Sequence, residues 1–201
     1  MHNGHAAVAR ALLAQFALDE FTFMPAFHAP HKRRIRPTSA FDRFAMLCLV
    51  TIDEPAMSVS KMEIEMPERP YSVETLERLN TNFPADEIFF VMGADSWMEI
   101  TAWREWKRVL TMANHIVVTR PGTEIDFSHV TDDIRKRIVD MRDNGQTRTA
   151  EYARSIYITD AVQIEVSATE IRGKIRNGDT SWRADVPPEV AKYIEKYQIY
   201  S

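Results

Sequence analysis

The chain has 201 residues, 45% of them hydrophobic and 27% charged, and a formal net charge of −4; a chain of this size can bury roughly 70% of its unfolded surface as one domain. A single cysteine, Cys48, excludes a disulfide framework and any Cys-based zinc site. No apolar run approaches the ~18 residues of a membrane span, and the interspersed charge gives no basic block for nucleic acid or a membrane surface.

Ala6, Ala9, Leu12, Leu13 and Phe16 follow helical spacing and predict an amphipathic first helix. Phe21–Met24 predicts a short strand ending at Pro25. Pro25 to Pro37 holds three prolines among His, Lys and Arg, and predicts a loop. Ser39-Ala-Phe-Asp42 resembles a capping box opening a helix that runs to Val50 and buries Cys48. Met62, Ile64 and Met66 alternate with charged residues and predict a strand over Met57–Met66. A helix follows Ser72, with Val73, Leu76 and Leu79 on one side. Glu87–Met92 predicts a buried strand that stops at Gly93, where a further helix begins. Trp103 and Trp106 are expected on one helix, facing the core. His115–Thr119 predicts a second buried strand, ended by an Arg120-Pro-Gly122 turn. Val130, Ile134, Ile138 and Met141 predict a surface helix ending at Asn144-Gly145. Ser155–Thr159 and Val162–Val166 predict short strands. Ser167-Ala-Thr-Glu170 reads as a capping box, and Pro187-Pro188 as the first turn of the last helix. The alternation of helical and strand periods predicts an α/β layered fold. With no basic segment leading into an apolar one at the start, no secretory signal is expected.

Several stretches carry candidate chemistry, and each has a plainer reading. His2-Asn-Gly-His5 opens the first helix, where unpaired N–H groups attract phosphate and imidazoles add donors. The same residues also fit a histidine-bearing N-terminus with no ligand. Ser167-Ala-Thr-Glu-Ile-Arg172 offers a capped helix start, the Thr169 hydroxyl and an Arg that can hold two phosphate oxygens at once. It equally fits an ordinary cap with a solvated Arg. Gly93-Ala-Asp-Ser-Trp97 follows a buried strand, where open α/β sheets bind ligands. There Gly93 admits a close approach, Asp95 can accept from ribose hydroxyls and Trp97 can offer a flat face, unless the indole lies in the core. Lys32, in Pro30-His-Lys-Arg-Arg34, can reach phosphates or remain solvated. Arg69-Pro-Tyr-Ser72 can present backbone N–H groups to a carboxylate or be a capped turn. The chain has no Walker A loop, no G-x-G-x-x-G and no nucleophile elbow.

Taken in order, these motifs, with Val186-Pro-Pro, Val190, Tyr193-Ile194 and Tyr200, resemble bacterial nicotinate mononucleotide adenylyltransferase over essentially the whole chain. The HxGH and S-x-T-x-I-R pair is similar to the wider nucleotidyltransferase superfamily; the G-A-D-x-W and Tyr71-Ser72 segments narrow it. The resemblance implies a doubly wound, mostly parallel, Rossmann-like sheet in a single domain, with a core to about residue 166 and a small C-terminal helical part over 167–201. It implies adenylyl transfer from ATP, with Mg²⁺ accompanying the triphosphate, to nicotinate mononucleotide in the cytoplasm. By motif match, His2, His5 and Arg172 are catalytic. Lys32, Gly93, Asp95, Ser167 and Thr169 hold ATP. Tyr71, Ser72 and Trp97 frame the nicotinate. No metal site belongs to the protein itself, and no nucleic-acid or membrane partner is implied. A homo-oligomer is compatible with the sequence. The third motif reads Arg-Pro-Tyr-Ser where the family usually has Pro-Ser-Tyr-Thr; Ser72 keeps the hydroxyl.

The family also opens with a strand and a G-G-T-F-D-P-like loop before its HxGH. That strand is central in a doubly wound sheet, so the natural chain is expected to start about ten residues before this Met1. Two other functions fit the same motifs: transfer to nicotinamide mononucleotide or another phosphate-bearing acceptor, and nucleotide binding without catalysis.

Overall fold

The computed structural model describes residues 1–26, 38–66, 70–119, 124–142, 154–160, 162 and 166–200. In chain order the elements are α1 (Asn3–Gln15), β1 (Phe21–Phe23), α2 (Ala40–Thr51), β2 (Met57–Val59), α3 (Ser72–Asn82), β3 (Phe89–Gly93), α4 (Ala94–Met98), α5 (Trp106–Met112), β4 (Asn114–Val118), α6 (Asp132–Arg135), β5 (Ile138–Asp140), β6 (Ile156–Thr159), α7 (Ala168–Arg176) and α8 (Pro188–Lys196). Short 3-10 helices occupy Ile100–Ala102 and Thr180–Asp185. All described strand pairs are parallel, and helices lie between successive strands from β1 to β5, which makes the fold α/β as expected. No helix among the described residues is long and apolar enough to cross a membrane.

The chain forms two units. The first joins Met1–Arg69 to Ile164–Ser201. It contains the β1–β2 pair, and its core gathers Ala6 of α1, Met46 and Val50 of α2, Ile171 of α7, and Val190, Ala191 and Ile194 of α8. Of the stripe read for the first helix, Ala6 joins this cluster, and Ala9, Leu12 and Phe16 are buried as well. Ser39 caps α2 by accepting from the Phe41 N–H at 3.2 Å. Asp42 does not complete a capping box; its carboxylate accepts from the Tyr193 hydroxyl of α8 at 3.0 Å.

The second unit, Pro70–Gln163, carries a four-stranded parallel sheet in the order β3-β4-β6-β5. β4 and β6 are central and almost wholly buried, as strands covered on both faces must be. Met92, Trp97, Ile100, Leu110, Val117, Ile156 and Ile158 pack in one cluster, and Val73, Leu76, Val109 and Ala113 in another.

Four expectations about elements are corrected. The strand after Met57 ends at Val59; the Ile64 and Glu65 N–H groups both turn back to the Lys61 carbonyl, at 2.9 and 3.0 Å. Only Ile64 of the alternating set is buried there, so the period of two marks a turn. The helix expected from Val130 to Met141 stops at Arg135. Ile138–Asp140 instead pairs with Ile156–Ile158, because the β-branched Ile138-Val139 fits a sheet better than a helix. Trp103 and Trp106 lie on different elements. Trp103 follows a 3-10 turn, Trp106 opens α5, and Glu105 between them is left-handed at φ +52°. Ser167 caps α7, but through Thr169 alone. The loop at 27–37, both turns at Arg120-Pro-Gly122 and Asn144-Gly145, and residues 163–165 of the Val162–Val166 strand lie outside the described residues.

Candidate active site

The first unit brings two helix starts into one cluster. α1 begins at His2, whose extended backbone (φ −136°, ψ 167°) turns the chain into the helix. The His5 N–H donates to the His2 carbonyl at 3.0 Å, and the His2 N–H donates to His5 Nδ1 at 3.4 Å. An accepting Nδ1 leaves the neutral ring's proton on Nε2, as a donor. The two imidazoles lie 3.8 Å apart, centroid to centroid, at 44°. Burial of its ring, as the main cause, pushes the His5 pKa down to about 4. It is therefore neutral at pH 7.

α7 begins at Ser167, whose Oγ accepts from the Thr169 N–H at 3.3 Å. The Thr169 hydroxyl accepts from an Arg172 guanidinium nitrogen at 3.2 Å, so Arg172 is held over the first turn of its own helix. The link between the two starts is apolar. Ala6 and Ile171 share a core cluster, with Met1 packed against it. His2, His5, Ser167, Thr169 and Arg172 therefore belong to one neighbourhood. Open N–H groups from two helices, imidazole donors and a guanidinium suit a polyphosphate. Lys32 lies outside the described residues.

The second unit presents the other candidates. Gly93 ends β3 with extended backbone (φ −82°, ψ 163°), and a Cβ built on it would meet nothing within 4 Å among the described residues. Its lack of a side chain is thus not demanded by protein packing. Asp95 is exposed in the first turn of α4, and among the described residues its carboxylate has no partner. Tyr71 precedes α3 and is 42% exposed, and Ser72 opens the helix. The Tyr71 N–H donates to Glu74 Oε2 at 2.9 Å, and the Arg104 guanidinium lies 4.9 Å from the Tyr71 ring centroid.

Trp97 departs from the expectation of a ligand-facing indole. It is 0% exposed; its Nε1 donates to the Asp126 carbonyl at 3.1 Å. Phe127 and His129 meet its ring edge-on at 6.4 and 5.3 Å. A large apolar ring beside β3 gains more from the core than from water, and here Trp97 anchors the segment after Gly93.

Sequence reasoning did not single out Arg104. Glu74, three residues after Tyr71, is a local capping signal, but Arg104 meets Tyr71 only through the packing of α3 against α5. Among the described residues, no group of three His, Cys, Asp or Glu side chains could hold a metal ion.

A cytidylyltransferase-like family model matches residues 1–174. A probable nicotinate-nucleotide adenylyltransferase of Desulfatibacillum aliphaticivorans is 32% identical over 206 residues, covering 100% of this chain and 94% of the relative. One from Geobacter sulfurreducens is 33% identical over 202 residues, covering 100% and 93%. Among solved structures, a Plasmodium falciparum nicotinic acid mononucleotide adenylyltransferase complexed with NaAD superposes with a TM-score of 0.72 at 16% identity, covering 100% of this chain and 91% of that one. At that identity the likeness is one of fold.

Proposed function

The chain belongs to the nicotinate-nucleotide adenylyltransferases of the cytidylyltransferase-like family, and on that premise we propose that it transfers the adenylyl group of ATP to nicotinate mononucleotide, giving nicotinate adenine dinucleotide and pyrophosphate. The observation that carries this reading is the shared neighbourhood of the α1 and α7 starts, with His2, His5, Ser167, Thr169 and Arg172. We read the two units as parts of one nucleotidyltransferase domain, because the family model runs through both. An ATP donor suits a cytoplasmic enzyme.

In the reaction, an oxygen of the acceptor's 5′-phosphate bonds to the α-phosphorus of ATP. The bond from that phosphorus to the bridging oxygen breaks, and pyrophosphate leaves with the electron pair. The attacking phosphate is already ionised, so no general base is required, and the protein's work is positioning and charge stabilisation. Neutral His5 would donate from Nε2 to an oxygen of the reacting phosphate, with His2 beside it. Arg172 and Lys32 would hold the β- and γ-phosphates, and the Ser167–Thr169 turn would supply N–H groups. Gly93 would let a ribose lie against β3, with Asp95 accepting from its hydroxyls. Tyr71 and Ser72 would frame the nicotinate, with helix-start N–H groups on its carboxylate; Trp97 would support that wall from the core. Mg²⁺ fits as part of the MgATP substrate. It prefers oxygen ligands and phosphates, and the donors here are imidazole, hydroxyl and guanidinium.

The test is pyrophosphate release from MgATP with nicotinate mononucleotide or nicotinamide mononucleotide in parallel. Release is expected with the acid, and His5→Ala should lower kcat by about 100-fold or more. Equal release with the amide would move the acceptor assignment. Release with neither, from a protein that binds ATP, would leave a nucleotide-binding protein without this activity.

A further inference from the structure

Tyr71 is engaged at both its backbone and its ring. Glu74 accepts the Tyr71 N–H through Oε2, while its Oε1 accepts from Arg104 at 3.3 Å. The same Arg104 guanidinium covers one face of the Tyr71 ring. Its Nε lies 3.8 Å from Glu105 Oε1, and Glu105 Oε2 accepts from Arg108 at 3.2 Å. Arg108 also pairs with Glu77, one turn along α3. Acid and base thus alternate from Glu74 through Arg104, Glu105 and Arg108 to Glu77, and tie the start of α3 to the start of α5.

Stability is a weak reason for this arrangement. The five side chains are 40–53% exposed, and exposed pairs add little. Glu105 sits at φ +52°, a conformation a non-glycine residue holds only when its surroundings impose it. Three carboxylates surround two guanidiniums, so the charge of Arg104 is already taken up and is poorly placed to recruit an anion itself.

We propose that Arg104 is a positioning residue for the acceptor's pyridine ring, acting through Tyr71. It covers one ring face, fixes the side-chain torsion and, with Glu74, sets the N–H groups of the first turn of α3. The other face of Tyr71 is then presented in one orientation. This rests on the reading that Tyr71 and Ser72 frame the nicotinate.

The experiment varies each substrate in turn in the pyrophosphate assay. Arg104→Met, which keeps length and loses charge and plane, should raise KM for nicotinate mononucleotide about three- to fivefold, the scale of an exposed cation–π contact. KM for ATP should stay within about twofold. Arg104→Lys should recover part of the loss. In a Tyr71→Ala background, Arg104→Met should add nothing. Arg108→Met, which weakens the same brace without touching Tyr71, should leave acceptor KM unchanged. An unaltered acceptor KM in Arg104→Met, an undiminished effect without Tyr71, or an equal effect in Arg108→Met would each overturn the proposal while the enzyme reading stood. A wild-type protein with no turnover on nicotinate mononucleotide would instead remove the enzyme reading, and this inference with it.

Discussion

At Gly93 the missing Cβ leaves open space among the described residues rather than relieving a clash, and the backbone there is extended. Alanine is therefore compatible with the fold, whereas a ligand lying against the strand end would meet the new methyl. Gly93→Ala should leave the thermal midpoint within about 2 °C of wild type, a shift of well under 1 kcal/mol for a chain this size. It should weaken ATP binding about tenfold or more, a cost of about 1.4 kcal/mol. Calorimetric titration with ATP and a melting curve separate the two effects; a lower midpoint with unchanged ATP affinity would return Gly93 to the protein's own packing. His5 is governed by the same local physics. A ring crowded at a helix start stays neutral, and a bound polyphosphate would draw its pKa back up.

At the scale of elements, β4 holds a histidine where a strand covered on both faces normally holds an aliphatic residue. His115 is 0% exposed; its Nδ1 lies 3.1 Å from the Ala113 carbonyl, and its Nε2 has no partner among the described residues. Burial, as the main cause, pushes its pKa down to about 3 from 6.5. The unfolded chain therefore binds a proton below pH 6.5 that the folded strand refuses. Stability contributed by the neutral ring is complete above that value and falls as pH drops toward 3, by at most about 1.4 kcal/mol per pH unit. His115→Leu should flatten urea-unfolding stability across that window. A slope unchanged in the variant would assign the pH dependence to other groups, His5 among them.

At the scale of the molecule, the first unit is built from both ends of the chain, and α8 supplies much of its core. Ile194 is 3% exposed in the cluster that also seats Ala6 of α1 and Ile171 of α7. Ile194→Ala should cost about 2–5 kcal/mol in urea unfolding. Because Ala6 and Ile171 lie close to His5 and Arg172 in sequence, the same variant should weaken ATP binding although it touches no phosphate. Full ATP affinity in a destabilised Ile194→Ala protein would show that the two helix starts do not depend on this core.

The sequence alone determined what is local or ordered along the chain: the helix starts at His2, Ser39, Ser72, Ser167 and Pro188, the buried strands around Val117 and Ile158, the strand around Val91 (half-buried in the structure), and the succession of motifs that carries the family. Caps, short-range periodicity and motif order are written within a few residues of one another, so they survive without a partner in view. Only the tertiary structure decided the rest. Helical spacing at Val130, Ile134 and Ile138 gave way to a strand because β6 offered Ile138 and Val139 a pairing edge. The indole of Trp97 could serve a ligand or the core, and Asp126, Phe127 and His129, about thirty residues away, drew it inside. Arg104 gained its place over Tyr71 from a helix packed against a helix, a contact no spacing encodes.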